Sequence, residues 1–297
     1  MSAILIYADT TVWNALCDRA VGPGRLTKDL ATQRAQLVLG TNAVYEMAKT
    51  FKGSRPNAHE RGKELFSYLR QYVQLGIPLL RQTDELLREE VKHVRKETKD
   101  IELFYGSANY QELVKEVDKL EQGVFDSRAA QFIPLREADA KQSRADLYAH
   151  IEDRPHLKRK LAAISSGSVS RWIAREMKHS ARRMLTGHLA KVINGQSLRE
   201  LTWLAGRLLG SSRYRVSHAM VRSDFYLNWQ YCQTGALGKD VPDDNYHAVN
   251  ASYCDFFATT DPGLAHYMSH VLTQAKVELY DRNLPLANWL VAICGKS

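Results

Sequence analysis

The sequence predicts an α/β fold, a central parallel sheet flanked by helices, with a large helical insertion. Three observations carry that expectation. The first residues run from a short apolar segment directly into an Asp-Thr-Thr turn and an amphipathic stretch. The same alternation returns near the other end of the chain. Between them, residues 83–222 place apolar side chains three and four positions apart amid dense charge, which is a helical pattern.

Residues 3–8 (AILIYA) form an apolar run rich in Ile and Tyr, as a buried strand does. The run stops at Asp9-Thr10-Thr11, after which Val12, Trp13 and Leu16 continue at helical spacing. A second run at residues 36–39 ends at Gly40, and Thr41 is the expected N-cap of a helix through NAVYEMAKTF. A helix over residues 60–75 and a third strand at 77–80 follow. Beyond Thr83, the positions Leu86, Leu87, Val91 and Val94, then Leu113, Val117 and Leu120, predict long amphipathic helices. Pro134 and Pro155 are expected to break them, and the Ser-rich residues 165–170 to form a turn. Gly206 to Gly210 is expected to end a further helix.

The last part predicts a helix over residues 223–233, a Gly/Pro loop at 235–242 and a helix from about Asp244. A strand at 255–259, a turn at Thr260-Asp261 and a strand at 276–280 complete it. The expected organisation is a discontinuous α/β domain built from residues 1–82 and 223–297. Residues 83–222 form the helical insertion, basic in its second half.

Bulk properties narrow the function. With 297 residues, 44% hydrophobic and 25% charged, the chain has ordinary globular composition. No apolar run reaches the roughly 18 residues that a bilayer span needs, so no membrane partner is expected. The N-terminus reads as a first strand rather than a signal peptide. Cys17, Cys232, Cys254 and Cys294 have neither zinc-ligand spacing nor disulfide-scaffold density, so a reducing cytoplasm is the expected setting. Charge is concentrated. Residues 154–222 hold 15 Lys/Arg and two acids, Glu176 and Glu200, a net +13 against +8 for the whole chain, so the remainder carries −5. A block of this kind suits a polyanion, because each phosphate contact releases condensed counterions.

The candidate site is acidic. Asp9 and Asp261 each follow an apolar strand, where ligands bind in open α/β sheets. Helix capping by Asp9 or Thr10 is the alternative at the first of them. Glu46 lies in the apolar stretch AVYEMAK, where a buried carboxylate needs a partner or a metal. Asp243 and Asp244 open a helix, where acids also favour the positive end of the dipole. His247, one turn after Asp244, reads as a packed histidine, and Asp255 as a buried or capping group. Several carboxylates on one sheet edge suit hard cations such as Mg²⁺ or Mn²⁺, which assist in-line phosphodiester displacement.

These residues carry a family resemblance. YADTTVW (residues 7–13) resembles the first-strand motif of PIN-domain nucleases, and TNAVYEMAKTF resembles the helix bearing that family's glutamate. Residues 244–261 resemble its late aspartate, alanine-containing helix and closing strand with Thr-x-Asp. The resemblance covers residues 1–82 and 223–285, about half of the chain, through short motifs in a consistent order. It implies a PIN-like domain and Mg²⁺- or Mn²⁺-dependent endonuclease activity on RNA. Asp9, Glu46, Asp244 and Asp261 would be the metal-binding acids, with Thr10 or Thr259 assisting and Asp243 the alternative to Asp244. The preference for RNA over DNA rests on the resemblance alone. The large central segment departs from compact members of the family.

In the basic segment Arg171, Arg175, Lys178, Arg182 and Arg183 recur at helical spacing. With Arg213 and Arg215 they are the expected nucleic-acid contacts. Trp172, Trp203 and Tyr214 lie among them; aromatics beside Arg suit stacking on unpaired bases, and the alternative places the tryptophans in helix cores, which is the expectation for Trp203. Two rival readings remain: a non-catalytic nucleic-acid-binding protein, and an interaction module whose helices dock an acidic regulatory protein, as toxin–antitoxin pairing does. Oligomeric state is left open.

Overall fold

A computed structural model describes residues 3–125, 128–237 and 241–295, with the side chains of 128–130 and 241–244 outside the described set. The chain opens with β1 (Ile4–Ala8), α1 (Thr10–Asp18), α2 (Pro23–Thr32), β2 (Ala35–Gly40), α3 (Thr41–Lys49), α4 (Ala58–Gln74) and β3 (Leu79–Leu80). Eight helices follow: α5 (Thr83–Val94), α6 (Ser107–Glu121), α7 (Arg128–Glu152), α8 (Pro155–Ala162), α9 (Val169–His179), α10 (Ala181–Val192), α11 (Leu198–Leu209) and α12 (Arg215–Thr234). The last part is α13 (Val241–Ala251), β4 (Phe256–Thr259), α14 (Pro262–Val271), β5 (Lys276–Leu279) and α15 (Leu286–Cys294).

The five strands form one parallel sheet in the order β3-β2-β1-β4-β5. The chain moves outward from β1 on one side, then returns to β1's other side with β4. The carboxyl ends of β1 and β4 therefore flank the topological switch point. Register places Ile6 beside Leu37 and Phe256, and Tyr7 beside Val38 and Phe257.

Alternation along the strands splits the core into two layers, because successive side chains point to opposite faces. Ile6, Ala8, Leu37, Leu39, Phe256 and Ala258 pack with α1–α4, α6 and α15. Tyr7, Val38, Leu80 and Phe257 face the other way, into a core continuous with α5 and α8–α14. Both faces of a parallel sheet must be covered, and here the insertion supplies much of one cover. The expected boundary at residues 222 and 223 falls inside α12, so the helical segment does not stand apart as a hung-on unit.

Several local expectations change. Pro134 lies inside α7 instead of ending it. Contacts on either side hold the helix through it: Phe132 stacks on Tyr45 at 4.2 Å, Ile133 is buried, and Arg136 reaches Asn42. Thr41 is the first helical residue of α3, with Gly40 as its cap, so it does not cap by its side chain. Pro155 does start a helix. The 165–170 stretch is a 3-10 turn over Ser166–Ser168 leading into α9. Gly235, at φ 74°, ends α12 in the left-handed region that glycine enters without strain. Helices α2, α14 and α15 lay outside the sequence expectations, although Pro23 and Pro262 at their first positions signal the starts of two. Among the described residues no helix is long and apolar enough to cross a membrane.

Candidate functional site at the carboxyl edge of the sheet

The carboxyl edge at the switch point gathers residues from both ends of the chain. Asp9 is buried to 1% exposure where β1 becomes α1, and its Oδ1 accepts the Val12 N–H at 2.9 Å as a helix cap. Thr11 donates to the same carboxylate at 2.8 Å, and Thr259, at the end of β4, donates to Oδ2 at 2.7 Å. Asp261 N–H in turn donates to Thr259 Oγ1 at 3.0 Å. Asp9 and Asp261, 252 positions apart in the chain, are thus joined through one threonine. Asp261 is exposed and caps α14 through bonds from Gly263 N and Leu264 N at 2.7 and 3.2 Å.

Glu46 joins from α3. Thr10 donates to Oε2, and His247 Nε2 lies 2.9 Å from the same oxygen. His247, on α13, is buried, and its Nδ1 is 2.6 Å from the Tyr7 hydroxyl. The contact is an ion pair when His247 is an imidazolium, and in the neutral ring the tautomer decides which nitrogen donates. The sequence expectation of a packed histidine therefore holds, and the packed ring also touches the acid.

Electrostatics separates the buried Asp9 from the half-buried Glu46. Burial pushes the Asp9 carboxyl up to about 6, against the pull of the Thr259, Val12 and Thr11 donors and of His247. Burial pushes Glu46 up as well, but the charge and hydrogen bond of His247, the Thr10 hydroxyl and Lys49 bring it down to about 2. Burial, with Glu46 and other neighbours, raises the Tyr7 phenol well above its ordinary value, so it keeps its proton.

The insertion reaches this edge. Arg136 of α7 donates to Asn42 Oδ1 at 2.9 Å, and its guanidinium lies 3.3 Å from the centre of the Tyr246 ring. Phe132 stacks on Tyr45. Tyr45 and Tyr246 adjoin Glu46 and His247 in sequence, so α7 spans the two helices that carry that pair. Nothing in the sequence pointed to Arg136, which lies 94 positions from Asn42. Tyr7 was legible only as an apolar strand residue.

Among the described residues no group of three or more His, Cys, Asp or Glu side chains is arranged to hold a divalent cation. Asp9 is surrounded by protein donors, Glu46 is engaged by Thr10 and His247, and Asp261 is turned to the α14 N-terminus. The described side chains do not fit Mg²⁺ or Mn²⁺. Asp243 and Asp244 fall on α13, with side chains outside the described residues. Asp255 is at the opposite end of the sheet: it is exposed rather than buried, and its Oδ2 accepts Leu5 N–H at 2.8 Å.

The expected phosphate contacts divide. Arg171, Arg175 and Lys178 are exposed on α9, and Arg182 and Arg183 are exposed on α10. Arg175 lies 3.7 Å from Glu176, while Arg171, Lys178 and Arg183 have no ion pair among the described residues. Arg213 is exposed between α11 and α12. Arg215 is half-buried with its guanidinium 5.7 Å from the Tyr253 ring, a position committed to the protein. Ser170 Oγ is 2.6 Å from His270 Nδ1, so the α9 row begins beside the far end of α14 from Asp261, roughly 14 Å along that helix. Trp172 and Tyr214 are buried, whereas Trp203, expected in a core, is 49% exposed.

A cleft of about 640 Å³ lies between α7, α10, α12 and α13, and includes none of Asp9, Glu46 and Asp261 in its walls. Its most buried charged feature, the His188–Asp224 pair at 2.6 Å, is internally satisfied. Comparison with protein-family models, with curated proteins and with solved structures finds no match.

Proposed function

We propose that the protein is a PIN-like nuclease that cleaves single-stranded RNA at the carboxyl edge of its sheet. One observation supports this most: at the switch point of a parallel sheet, Thr259 links Asp9 to the Asp261 backbone, and Glu46 bonds to Thr10, the neighbour of Asp9 in sequence. Asp244, whose side chain lies outside the described residues, is the fourth acid that the resemblance implies. The resemblance in the three motifs supports the same assignment.

The chain's own residues would act by position. Thr11 and Thr259 orient Asp9, while Thr10 and His247 orient Glu46, and Tyr7 holds His247. Arg136 adds a cation beside the edge, suited to an anionic strand. Because the described donors do not fit a metal ion, no step is routed through one. The exposed arginines and lysine of α9 and α10 are proposed to hold the phosphate backbone.

A second reading has its own support. The Asp9 and Glu46 networks are complete without any ion, as they would be in a nucleic-acid-binding protein whose acids are structural. Incubation of the purified chain with labelled single-stranded RNA separates the two, with Mg²⁺, with Mn²⁺ and with chelator. The nuclease reading expects cleavage that Asp9→Asn abolishes. Binding without cleavage under every condition, unchanged in Asp9→Asn, contradicts it.

A further inference from the structure

Trp203 is the largest exposed aromatic surface on the basic helices. It is 49% exposed, and Leu198 on the same helix is 72% exposed. Arg199 and Arg207 are exposed four positions to either side of it, so both share its face of α11. Arg182 lies across the same helix: its Nε donates to Thr202 O at 2.9 Å. A Cβ at Gly206 would stand 3.1 Å from the Arg182 guanidinium carbon, so glycine leaves room for the guanidinium to lie close to the helix. The acid nearest in sequence, Glu200, is engaged by Arg95 at 2.5 Å. No aromatic or cationic partner covers the Trp203 ring among the described residues.

An uncovered indole costs solubility unless something uses it, and here Arg199 and Arg207 share its helix face while Arg182 lies against the same helix. Cations flanking a flat aromatic face match an unpaired base with phosphates on either side. An acidic peptide would match the charge but leave the ring without a counterpart.

We propose that α11, together with Arg182 of α10, is a docking surface for single-stranded RNA. Trp203 stacks on an unpaired base, and Arg182, Arg199 and Arg207 contact the adjoining phosphates. This deepens the nuclease reading by naming where the strand is held. It rests on RNA as the ligand, and its test does not depend on cleavage.

The experiment measures binding of a fluorescein-labelled oligouridylate to the full chain by anisotropy, in chelator, across a salt series. Trp203→Ala is expected to weaken binding about tenfold or more, and Trp203→Phe to restore most of it, since a smaller ring still stacks. The Arg199→Ala, Arg207→Ala double variant is expected to reduce the slope of log K against log salt by about 1.4. All three positions are exposed, so thermal midpoints should match the parent and exclude misfolding. Binding by Trp203→Ala equal to the parent overturns the proposal. So does oligoglutamate competing as well as oligouridylate with no dependence on Trp203. Trp203-dependent binding in a chain that cleaves no RNA under any metal condition supports the surface while removing the nuclease reading.

Discussion

The carboxyl edge of the sheet and the outer surface of α9–α11 treat charge in opposite ways. At the edge, Asp9 and Glu46 are packed inside a shell of hydroxyl, backbone and imidazole donors. On the outer helices, Arg171, Lys178 and Arg183 stand in solvent with no ion pair among the described residues. Desolvated charge must be paired to persist, whereas surface charge is left free at little cost. The edge therefore has fixed partners, and the surface carries cations without them; the proposed function gives that surface a charged ligand.

If this contrast is right, substitutions at the edge should change stability and those on the surface should not. The largest effect is expected for His247→Ala, which strands the Glu46 carboxylate and the Tyr7 hydroxyl. Loss of about 3–5 kcal/mol of unfolding free energy is the range for breaking a buried pair. Denaturant titration checks it, and a loss below 1 kcal/mol would mean the pair is effectively solvated. Glu90, a buried residue of α5, offers a comparison inside the insertion. It accepts Val216 N–H at 2.8 Å, Ser217 N–H at 3.0 Å and the Tyr253 hydroxyl at 2.7 Å. Glu90→Ala is expected to cost about 3 kcal/mol by leaving several donors unpaired.

The pH dependence follows from the same burial. Asp9 is pushed up to about 6 and Glu90 to about 7, both mainly by burial. Each folded-state carboxyl holds its proton after the unfolded chain has released it. Stability is therefore higher near pH 4 and falls as pH rises toward 7. For Asp9 alone the change is about 3 kcal/mol, and Asp9→Asn should flatten its share of the curve between pH 4 and 6. Glu46 runs the other way: its contribution is present above its unfolded value and is lost as pH falls through about 2. The smallest stability effect is expected on the surface. Arg171→Ala, Arg175→Ala and Lys178→Ala should each stay within about 0.5 kcal/mol of the parent while lowering the salt slope of RNA binding by about 0.7.

Much of the architecture was legible because local pattern and tertiary demand agree. The strands at 3–8, 36–39, 77–80, 255–259 and 276–280 each match an element, with ends shifted by a residue or two. Apolar runs long enough to be buried on both faces leave few alternatives. Asp9, Glu46 and Asp261 were legible because a carboxylate just after a strand or on an apolar helix stands out. The ring of donors was not. Tyr7, His247 and Arg136 act through contacts spanning 94 positions or more, which no local spacing encodes. Pro134 misled for the same reason, since its helix is held by contacts with α3 and α13. Trp203 was expected in a core because tryptophan usually is, but in the folded chain it is half exposed to solvent.

The most direct test of the division between acidic edge and basic surface is single-turnover cleavage of single-stranded RNA over a range of protein concentrations. Two variants are compared with the parent: Glu46→Gln, and the combined Arg171→Ala, Arg175→Ala, Lys178→Ala chain. The account predicts that Glu46→Gln lowers the saturating rate about a hundredfold or more with half-saturation unchanged. The triple variant should raise half-saturation and leave the saturating rate intact. A Glu46→Gln chain that cleaves at the parental rate when saturated would contradict the assignment of chemistry to the sheet edge.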